Sequence, residues 1–229
     1  MKAKIAIVTA IGCSLIVACA SNLPTTADQQ KSLTPDAVLK DLKDGNKRYQ
    51  AGNLTERDVK KGIAASSTGQ YPKAVILSCL DSRVPVEQVF DQGIGDVFVG
   101  RVAGNIENGD QLGSMEFGTK VAGAKLIMVL GHEACGAVKG ACDHVELGNI
   151  TGLLKNIKPA VDAVEGVPAD KRNSKNPEFV QKVVEENVRL TVADIRKRSE
   201  LLTQMEKDGE IKIVGAVYSL KDGSVTLLD

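Results

Sequence analysis

Short apolar segments that alternate with helical stretches constrain the fold of this chain most strongly. The segments read KAVILSC, DVFVGRVAGN and KLIMVLGH, and the stretch QLGSMEFGTKVAGA between the last two has helical spacing. A strand that is apolar on both faces is typical of a parallel sheet covered on both sides. The C-terminal IKIVGAVYSLKDGSVTLL indicates two further strands around a Lys-Asp-Gly turn. The pattern therefore predicts an α/β fold with a mostly parallel β-sheet flanked by helices.

The N-terminal region differs from the rest of the chain in composition. Lys2 and Lys4 precede an apolar run over residues 5–17, which is too short to span a bilayer comfortably and indicates a secretory signal. The run ends in IVAC, which resembles the bacterial lipobox, whose cysteine becomes the lipidated first residue of the mature chain. We therefore predict a signal peptide over residues 1–19 with a lipid on Cys19. Ordinary cleavage nearby and an uncleaved hydrophobic anchor are the alternatives.

The segment after the signal separates the predicted anchor from the predicted domain. Residues 20–33, ASNLPTTADQQKSL, are small and polar, and we expect them to form a tether. Thr34 is suited to be a helix N-cap and Pro35 to be the first helical residue. Residues 34–229 are enough for one well-buried domain. On this interpretation the protein is exported, periplasmic and attached to a membrane through its lipid.

Composition argues against a nucleic acid partner and against a disulfide framework. Lys and Arg together number 29, as do Asp and Glu, and tryptophan is absent, so neither charge nor aromatic stacking favours a nucleic acid partner. Beyond the predicted signal the chain carries Cys79, Cys135 and Cys142. An odd number of cysteines makes a poor disulfide framework in an exported protein. We interpret Cys142 as a packing residue and expect another role for the remaining two.

Two cysteines and a histidine follow predicted strands at their C-terminal ends. Cys79 follows the first strand, His132 follows the third, and Cys135 lies three residues further on. Ligands bind at this edge of open α/β sheets. A single cysteine would be a small buried hydrophobe, and a single histidine a hydrogen-bonded core residue. Together they form a zinc-type set, and three protein ligands leave one tetrahedral position open, as in catalytic zinc sites.

The motif Cys79-x-Asp81-x-Arg83, followed by His132-x-x-Cys135, resembles that of the β-class carbonic anhydrases. The segments DSRVPVEQVFDQGIGDVFVGRVAGN and GHEACGAVKGA resemble the two characteristic blocks of that family. The resemblance covers most of the predicted domain and implies one Zn²⁺ per subunit, held by Cys79, His132 and Cys135. It also implies the reversible hydration of CO2 to bicarbonate and a proton through zinc-bound hydroxide.

The resemblance gives Asp81 and Arg83 catalytic roles. Asp81 is either a fourth zinc ligand in a closed form or is held away from the metal by Arg83, where it orients the hydroxide. Family members regulated by a second bicarbonate site carry tryptophan where this chain has Ile76. Arg101 and Tyr218 match only part of that regulatory set. We therefore predict a constitutively open site with Asp81 held off the metal, rather than an ordinary surface salt bridge.

The resemblance also implies a set of substrate-binding residues and a subunit assembly. Gln70 matches a glutamine that binds substrate, and Phe98 and Phe117 match an apolar pocket wall that is contributed partly across a dimer interface. Ala103 makes one wall of this pocket smaller than is usual in the family. The implied assembly is a dimer or tetramer. Hydrolysis of CS2 or COS on the same scaffold and a zinc-binding protein without turnover are the alternative functions.

Overall fold

The computed structural model of the chain describes residues 22–228, so the predicted signal peptide, residues 1–19, lies outside the described residues together with Cys19. A five-stranded sheet in the order β2-β1-β3-β4-β5 forms the centre of the fold. Strands β1 to β4 are parallel, and β5 pairs antiparallel with β4. The predicted α/β class, the mostly parallel sheet and the C-terminal strand pair are therefore confirmed. The strands are β1 (Ala74–Ser78), β2 (Val97–Arg101), β3 (Leu126–His132), β4 (Lys212–Tyr218) and β5 (Val225–Leu228).

Helices occupy most of the remaining described chain. As predicted, Pro35 is the first residue of the second helix and the Thr34 hydroxyl accepts the N–H of Ala37 at 3.2 Å. Among residues 22–228, no helix combines the length and the apolar character needed to cross a bilayer. The α-helices are α1 (Ala27–Ser32), α2 (Pro35–Gln50), α3 (Val59–Ser66), α4 (Val86–Val89), α5 (Gly109–Glu116), α6 (Gly136–Cys142), α7 (Gly148–Lys155), α8 (Lys158–Ala163), α9 (Pro177–Arg198) and α10 (Glu200–Lys207). Single turns of 3₁₀-helix lie at Ala103–Asn105 and Ala169–Lys171, and a π-helical turn at Phe117–Val121.

Strand β1 is buried along its whole length because its two faces enter different hydrophobic clusters. Val75 and Leu77 belong to the cluster that also contains the buried face of α9. Ala74 and Ile76 belong to the cluster that also contains the buried residues of α2 and α4. Successive side chains of a strand point to opposite faces, so a strand between two helical layers must be apolar throughout. This explains the uninterrupted run AVIL in the sequence.

The carboxyl ends of β1 and β3 lie side by side at one edge of the sheet. The chain passes from β1 to β2 on one side and reaches β3 on the other side of β1, so the boundary between β1 and β3 is a topological switch point. Ser78 pairs with Leu130, so Cys79 directly follows β1 and His132 ends β3 at the same edge. Open α/β sheets bind ligands in the crevice that forms there.

Part of the predicted tether belongs to the folded domain, which corrects the prediction for residues 20–33. Residues Ala27–Ser32 form helix α1, and Gln30 within it is only 8% exposed. The Gln30 side-chain amide donates to the carbonyl oxygens of Pro72 at 2.7 Å and Ala122 at 2.8 Å. The polar composition of this segment suggested a free linker, but here polarity serves hydrogen bonds to loops that are distant in the chain.

Candidate metal centre

The three predicted ligand residues meet at the switch point between β1 and β3. The ligand atoms of Cys79, His132 and Cys135 all lie within 4.8 Å of one another, and all three residues are buried. The two sulfur atoms are 3.8 Å apart. Cys79 approaches from the end of β1, whereas His132 ends β3 and Cys135 immediately precedes α6. The structure thus brings Cys79 together with two side chains that lie more than fifty residues later in the sequence.

His132 presents a free nitrogen to this group. Its Nδ1 lies 2.8 Å from the carbonyl oxygen of Glu133, and that contact fixes the proton on Nδ1. Its Nε2 is buried and has no hydrogen-bond partner among the described residues. Leaving a buried polar atom unpaired costs free energy, so Nε2 is best explained as the site of a ligand bond.

The spacing of the two sulfur atoms fits zinc. Two thiolates bound to a tetrahedral Zn²⁺ at about 2.3 Å each would lie about 3.8 Å from one another. The observed distance between the sulfur atoms of Cys79 and Cys135 is 3.8 Å. Two thiolates and one imidazole are a donor set that zinc favours over the hard cations, which prefer oxygen.

The pKa values of the two thiols are shifted in opposite directions. A hydrogen bond from Cys135 lowers the pKa of Cys79. The resulting thiolate, together with burial, raises the pKa of Cys135 well above its ordinary range. The pair therefore gives up its first proton more readily than its second, and metal binding must displace the second proton.

A backbone donor supports the Cys79 thiolate from the side of β2. The N–H of Gly104 donates to Cys79 Sγ at 3.3 Å, and the Gly104 carbonyl accepts from the buried Asn187 amide at 2.8 Å. Gly104 has a φ of +76°, and a Cβ there would lie 2.5 Å from Cδ1 of Ile157, so only glycine fits. Ala103, the predicted pocket residue, begins this turn directly before Gly104 and is half-buried. Sequence analysis missed the Gly104 donor, for which the glycine in RVAGN was the only signal.

The predicted pair of Asp81 and Arg83 is present and lies against the metal-ligand group. Asp81 Oδ1 accepts from the N–H and Nε of Arg83 at 3.0 and 2.9 Å, and Oδ2 accepts from Nη2 at 2.7 Å. These hydrogen bonds hold the pKa of Asp81 well below its usual range, so the carboxylate is ionised. Asp81 Oδ2 is 3.8 Å from His132 Nε2. The pair therefore places a fixed negative oxygen beside the ligand atoms.

Within one chain, the structure does not bring three of the predicted substrate-binding residues to this group. Gln70 is exposed and lies four residues before β1, at the opposite end of that strand from Cys79. Phe98 pairs in register with Val75, about 13 Å along the strand from Cys79 at 3.3 Å per residue. The Phe98 and Phe117 rings contact each other, with centroids 6.4 Å apart, in a separate surface groove. Their contribution across a subunit interface stays a prediction.

Comparison with known proteins agrees with this geometry. The profile of the family described as carbonic anhydrase matches residues 74–225. Carbonic anhydrase 2 of Mycobacterium tuberculosis is 40% identical over 206 residues, covering 85% of this chain and 93% of the relative. The Coccomyxa β-carbonic anhydrase in complex with acetazolamide superimposes with a TM-score of 0.63 at 25% identity, covering 72% of this chain and 75% of the other.

A tetrameric β-carbonic anhydrase from Sordaria macrospora has the same fold. It superimposes with a TM-score of 0.61 at 22% identity, covering 71% of this chain and 83% of the other. The matched family segment contains the three metal-ligand residues and both members of the Asp81–Arg83 pair. Sequence, fold and site geometry therefore agree, and the chain belongs to the β-class carbonic anhydrase family.

Proposed function

We propose that this protein is a zinc-dependent carbonic anhydrase that interconverts CO2 with bicarbonate and a proton. One observation carries the proposal: three buried donor atoms within 4.8 Å of one another lie beside an ionised carboxylate that is itself held by an arginine. A purely structural zinc site has no use for such a carboxylate. Membership of the β-class family supports the same reaction.

The residues of the site divide the work between metal binding and orientation. Zn²⁺ held by Cys79, His132 and Cys135 would lower the pKa of a bound water and so supply hydroxide for the carbon of CO2. Asp81 Oδ2, 3.8 Å from His132 Nε2, would accept the hydrogen bond of a hydroxyl group beside the ligand atoms. Such a contact would direct an oxygen lone pair at the substrate. Arg83 keeps the carboxylate from turning into the metal-ligand group itself.

Stopped-flow CO2 hydration by purified protein of measured zinc content tests the proposal. We expect acceleration above the buffer rate, loss of it after zinc is removed with a chelator, and recovery when zinc is returned. Cys135→Ala should lose both zinc and activity. Cys142→Ala is the matched control, because Cys142 is also a buried free cysteine but is not in the metal-ligand group. Fully zinc-loaded protein that hydrates CO2 no faster than buffer would overturn the proposal.

The same preparation distinguishes CO2 from related substrates. CS2 and COS are also small and linear, and attack of hydroxide at carbon is the same step. We expect the preparation to turn over CO2 far faster than either sulfur compound. The reverse order would assign the protein to hydrolysis of CS2 or COS instead.

We further propose that the protein is exported and held at a membrane through a lipid on Cys19. The apolar N-terminal run and the lipobox-like IVAC support this proposal. The described chain is tied to the domain six residues after Cys19, where the backbone N–H and the hydroxyl of Thr25 donate to Asp96 Oδ1 at 3.1 and 2.9 Å. Six residues span at most about 20 Å, so the domain would lie close to the bilayer.

Metabolic labelling with an alkyne analogue of palmitate tests the anchor. Wild-type protein should carry the label and sediment with membranes, and Cys19→Ser should lose the label. Cys13→Ser is the matched control, because it replaces a cysteine within the same predicted signal. Unlabelled wild-type protein in the soluble periplasmic fraction would contradict the lipid anchor but not export.

We also propose that the protein works as a homodimer or tetramer, with Gln70, Phe98 and Phe117 completing the site of a neighbouring subunit. The tetrameric Sordaria relative supports association, and exposed Phe117 and the edge position of β2 leave these residues accessible to a second copy. Light scattering should give a mass two or four times that of one subunit. A fully active monomer would contradict the proposal.

A further inference from the structure

Arg101 contacts the loop that carries both a metal ligand and the ionised carboxylate. It ends β2 and pairs in register with Ser78, the last residue of β1, so its side chain can reach over the end of β1. Arg101 Nε donates to the carbonyl oxygen of Cys79 at 2.9 Å, and Nη2 donates to the carbonyl oxygen of Asp81 at 2.5 Å. One guanidinium therefore binds two carbonyls of the same short loop.

The loop depends on such contacts because it has left the sheet and its middle residue does not enter the core. The parallel ladder between β1 and β2 ends at Ser78, whose carbonyl accepts the N–H of Val102 at 3.1 Å. Leu80, which lies between the two carbonyls that Arg101 binds, is 66% exposed and packs little. The carbonyl oxygen of Asp81 otherwise accepts the Val84 N–H at 3.2 Å. Arg101 thus supplies, from a rigid strand, the donors that the ladder no longer provides.

Two arginines hold Asp81 in different ways. Arg83 binds the carboxylate itself, whereas Arg101 binds the backbone on either side of Leu80. The planar guanidinium holds its donors at a fixed separation, so it fixes the distance and direction between the two carbonyls. A lysine ammonium is a point charge on a flexible stem and lacks this geometry.

We propose that Arg101 is a positioning residue for CO2 hydration: it sets the backbone of residues 79–81 so that the Cys79 sulfur and the Asp81 carboxylate keep their relative placement. The inference rests on the proposed function, because that placement matters only if Asp81 orients the reacting hydroxyl group. Groups that orient metal ligands from outside the ligand set change metal affinity or activity about 10- to 100-fold when removed.

The test compares Arg101→Ala and Arg101→Lys with Arg189→Ala, each at measured metal content. Arg189 is the matched control, because it is an exposed arginine on α9 whose ion pairs are long, at 3.8 and 3.9 Å. For Arg101→Ala we expect kcat to fall about 10- to 100-fold with KM nearly unchanged and one metal still bound. Arg101→Lys should recover little of this loss, and Arg189→Ala should match wild type.

Two readouts separate positioning from general destabilisation. In Co²⁺-substituted protein, the visible spectrum reports the ligand geometry, and we expect it to change in Arg101→Ala but not in Arg189→Ala. Free guanidinium, at concentrations far below those that unfold proteins, should partly restore kcat in Arg101→Ala alone. If Arg101→Ala is insoluble, the kcat and the cobalt spectrum of Arg101→Lys test the proposal instead.

Specific outcomes would overturn the inference. Wild-type kcat and a wild-type cobalt spectrum in Arg101→Ala would show that the loop keeps its place without Arg101. Full activity in Arg101→Lys would show that charge alone suffices. A wild-type protein without hydration activity would instead refute the proposed function, and the cobalt spectra would still show whether Arg101 sets the ligand geometry.

Discussion

Asp81 and Asp91 are both paired with arginine, yet they occupy very different environments. The Asp91 side chain is only 1% exposed, and its two oxygens accept from Arg48 at 2.5 Å and from Arg57 at 2.6 Å. The Thr55 backbone N–H and hydroxyl donate to it as well, at 3.1 and 2.6 Å. Burial alone would raise the pKa of Asp91, but these hydrogen bonds outweigh burial and lower it to about 2. All of its acceptor capacity is used within the fold.

Asp81, unlike Asp91, has a carboxylate oxygen that can still accept a hydrogen bond. Its side chain is 16% exposed, its side-chain hydrogen bonds come from Arg83 alone, and its Oδ2 faces His132 Nε2 at 3.8 Å. The pKa is lowered for both aspartates, so a lowered pKa does not by itself identify a functional carboxylate. A functional carboxylate is identified instead by an oxygen that lies beside the metal-ligand atoms and can still accept a hydrogen bond. On the proposed mechanism, Asp91 is therefore a structural group and Asp81 the carboxylate that orients the reacting hydroxyl group.

The largest expected effect is the loss of activity in Asp81→Ala. Removing the carboxylate leaves the hydroxyl group without its acceptor, and we expect kcat/KM to fall about 1,000-fold, or about 4 kcal/mol of transition-state stabilisation. Zinc content and the free energy of unfolding should stay near wild type, because the pair lies at the surface. Stopped-flow kinetics, metal analysis and urea unfolding measure the three quantities. An active Asp81→Ala would remove the distinction between the two aspartates.

Asp91→Asn should show the opposite combination. Asparagine tolerates the positive φ of +49° at this position, but it leaves the two guanidinium groups without a counter-charge. Breaking a buried ion pair costs about 3 kcal/mol, which should appear as a lower free energy of unfolding in urea. The hydration rate per zinc-loaded, folded molecule should be unchanged. A selective loss of rate without a loss of stability would place Asp91 in the site instead.

The sequence predicted the elements that local pattern determines and missed those that depend on tertiary pairing. The five strand segments and the spacing of His132 and Cys135 are local, and both predictions agree with the structure. The contacts of Arg101 depend on the register that sets Ser78 beside it, which no local pattern contains. Within one chain β1 separates Gln70 from Cys79, so the predicted role of Gln70 depends on a neighbouring subunit and stays a prediction.

The predicted tether also shows that sequence patterns do not reveal tertiary contacts. Composition correctly indicated that the segment around Gln30 is polar, but composition does not reveal where polar groups find partners. The partners of Gln30 are backbone carbonyls of Pro72 and Ala122, which only the folded chain brings near α1. A polar segment is therefore a tether only when its polar groups are hydrated, and the sequence alone does not show this.

The pH dependence of the unfolding free energy provides a further, smaller test of the structural role of Asp91. The folded pKa of Asp91, about 2, is below the unfolded value near 3.9, so its stabilisation is present above about pH 4 and lost as pH falls through about 2. The difference in unfolding free energy between wild type and Asp91→Asn should therefore shrink by about 2 kcal/mol between pH 5 and pH 2. Protonation of other groups, including the metal-ligand residues, affects both proteins alike. A difference that stays constant over this range would contradict the assignment.

The smallest effect on stability and activity is expected for an ion pair that is exposed and outside the metal-ligand group. Lys158 and Asp162 pair at 2.5 Å on α8, with their side chains 53% and 59% exposed. Such pairs contribute about 0.5 kcal/mol or less, because water screens them and two mobile side chains must be ordered. Asp162→Ala should therefore leave both hydration kinetics and urea unfolding within error of wild type. A stability loss as large as that of Asp91→Asn would mean that burial does not explain the difference between the aspartates.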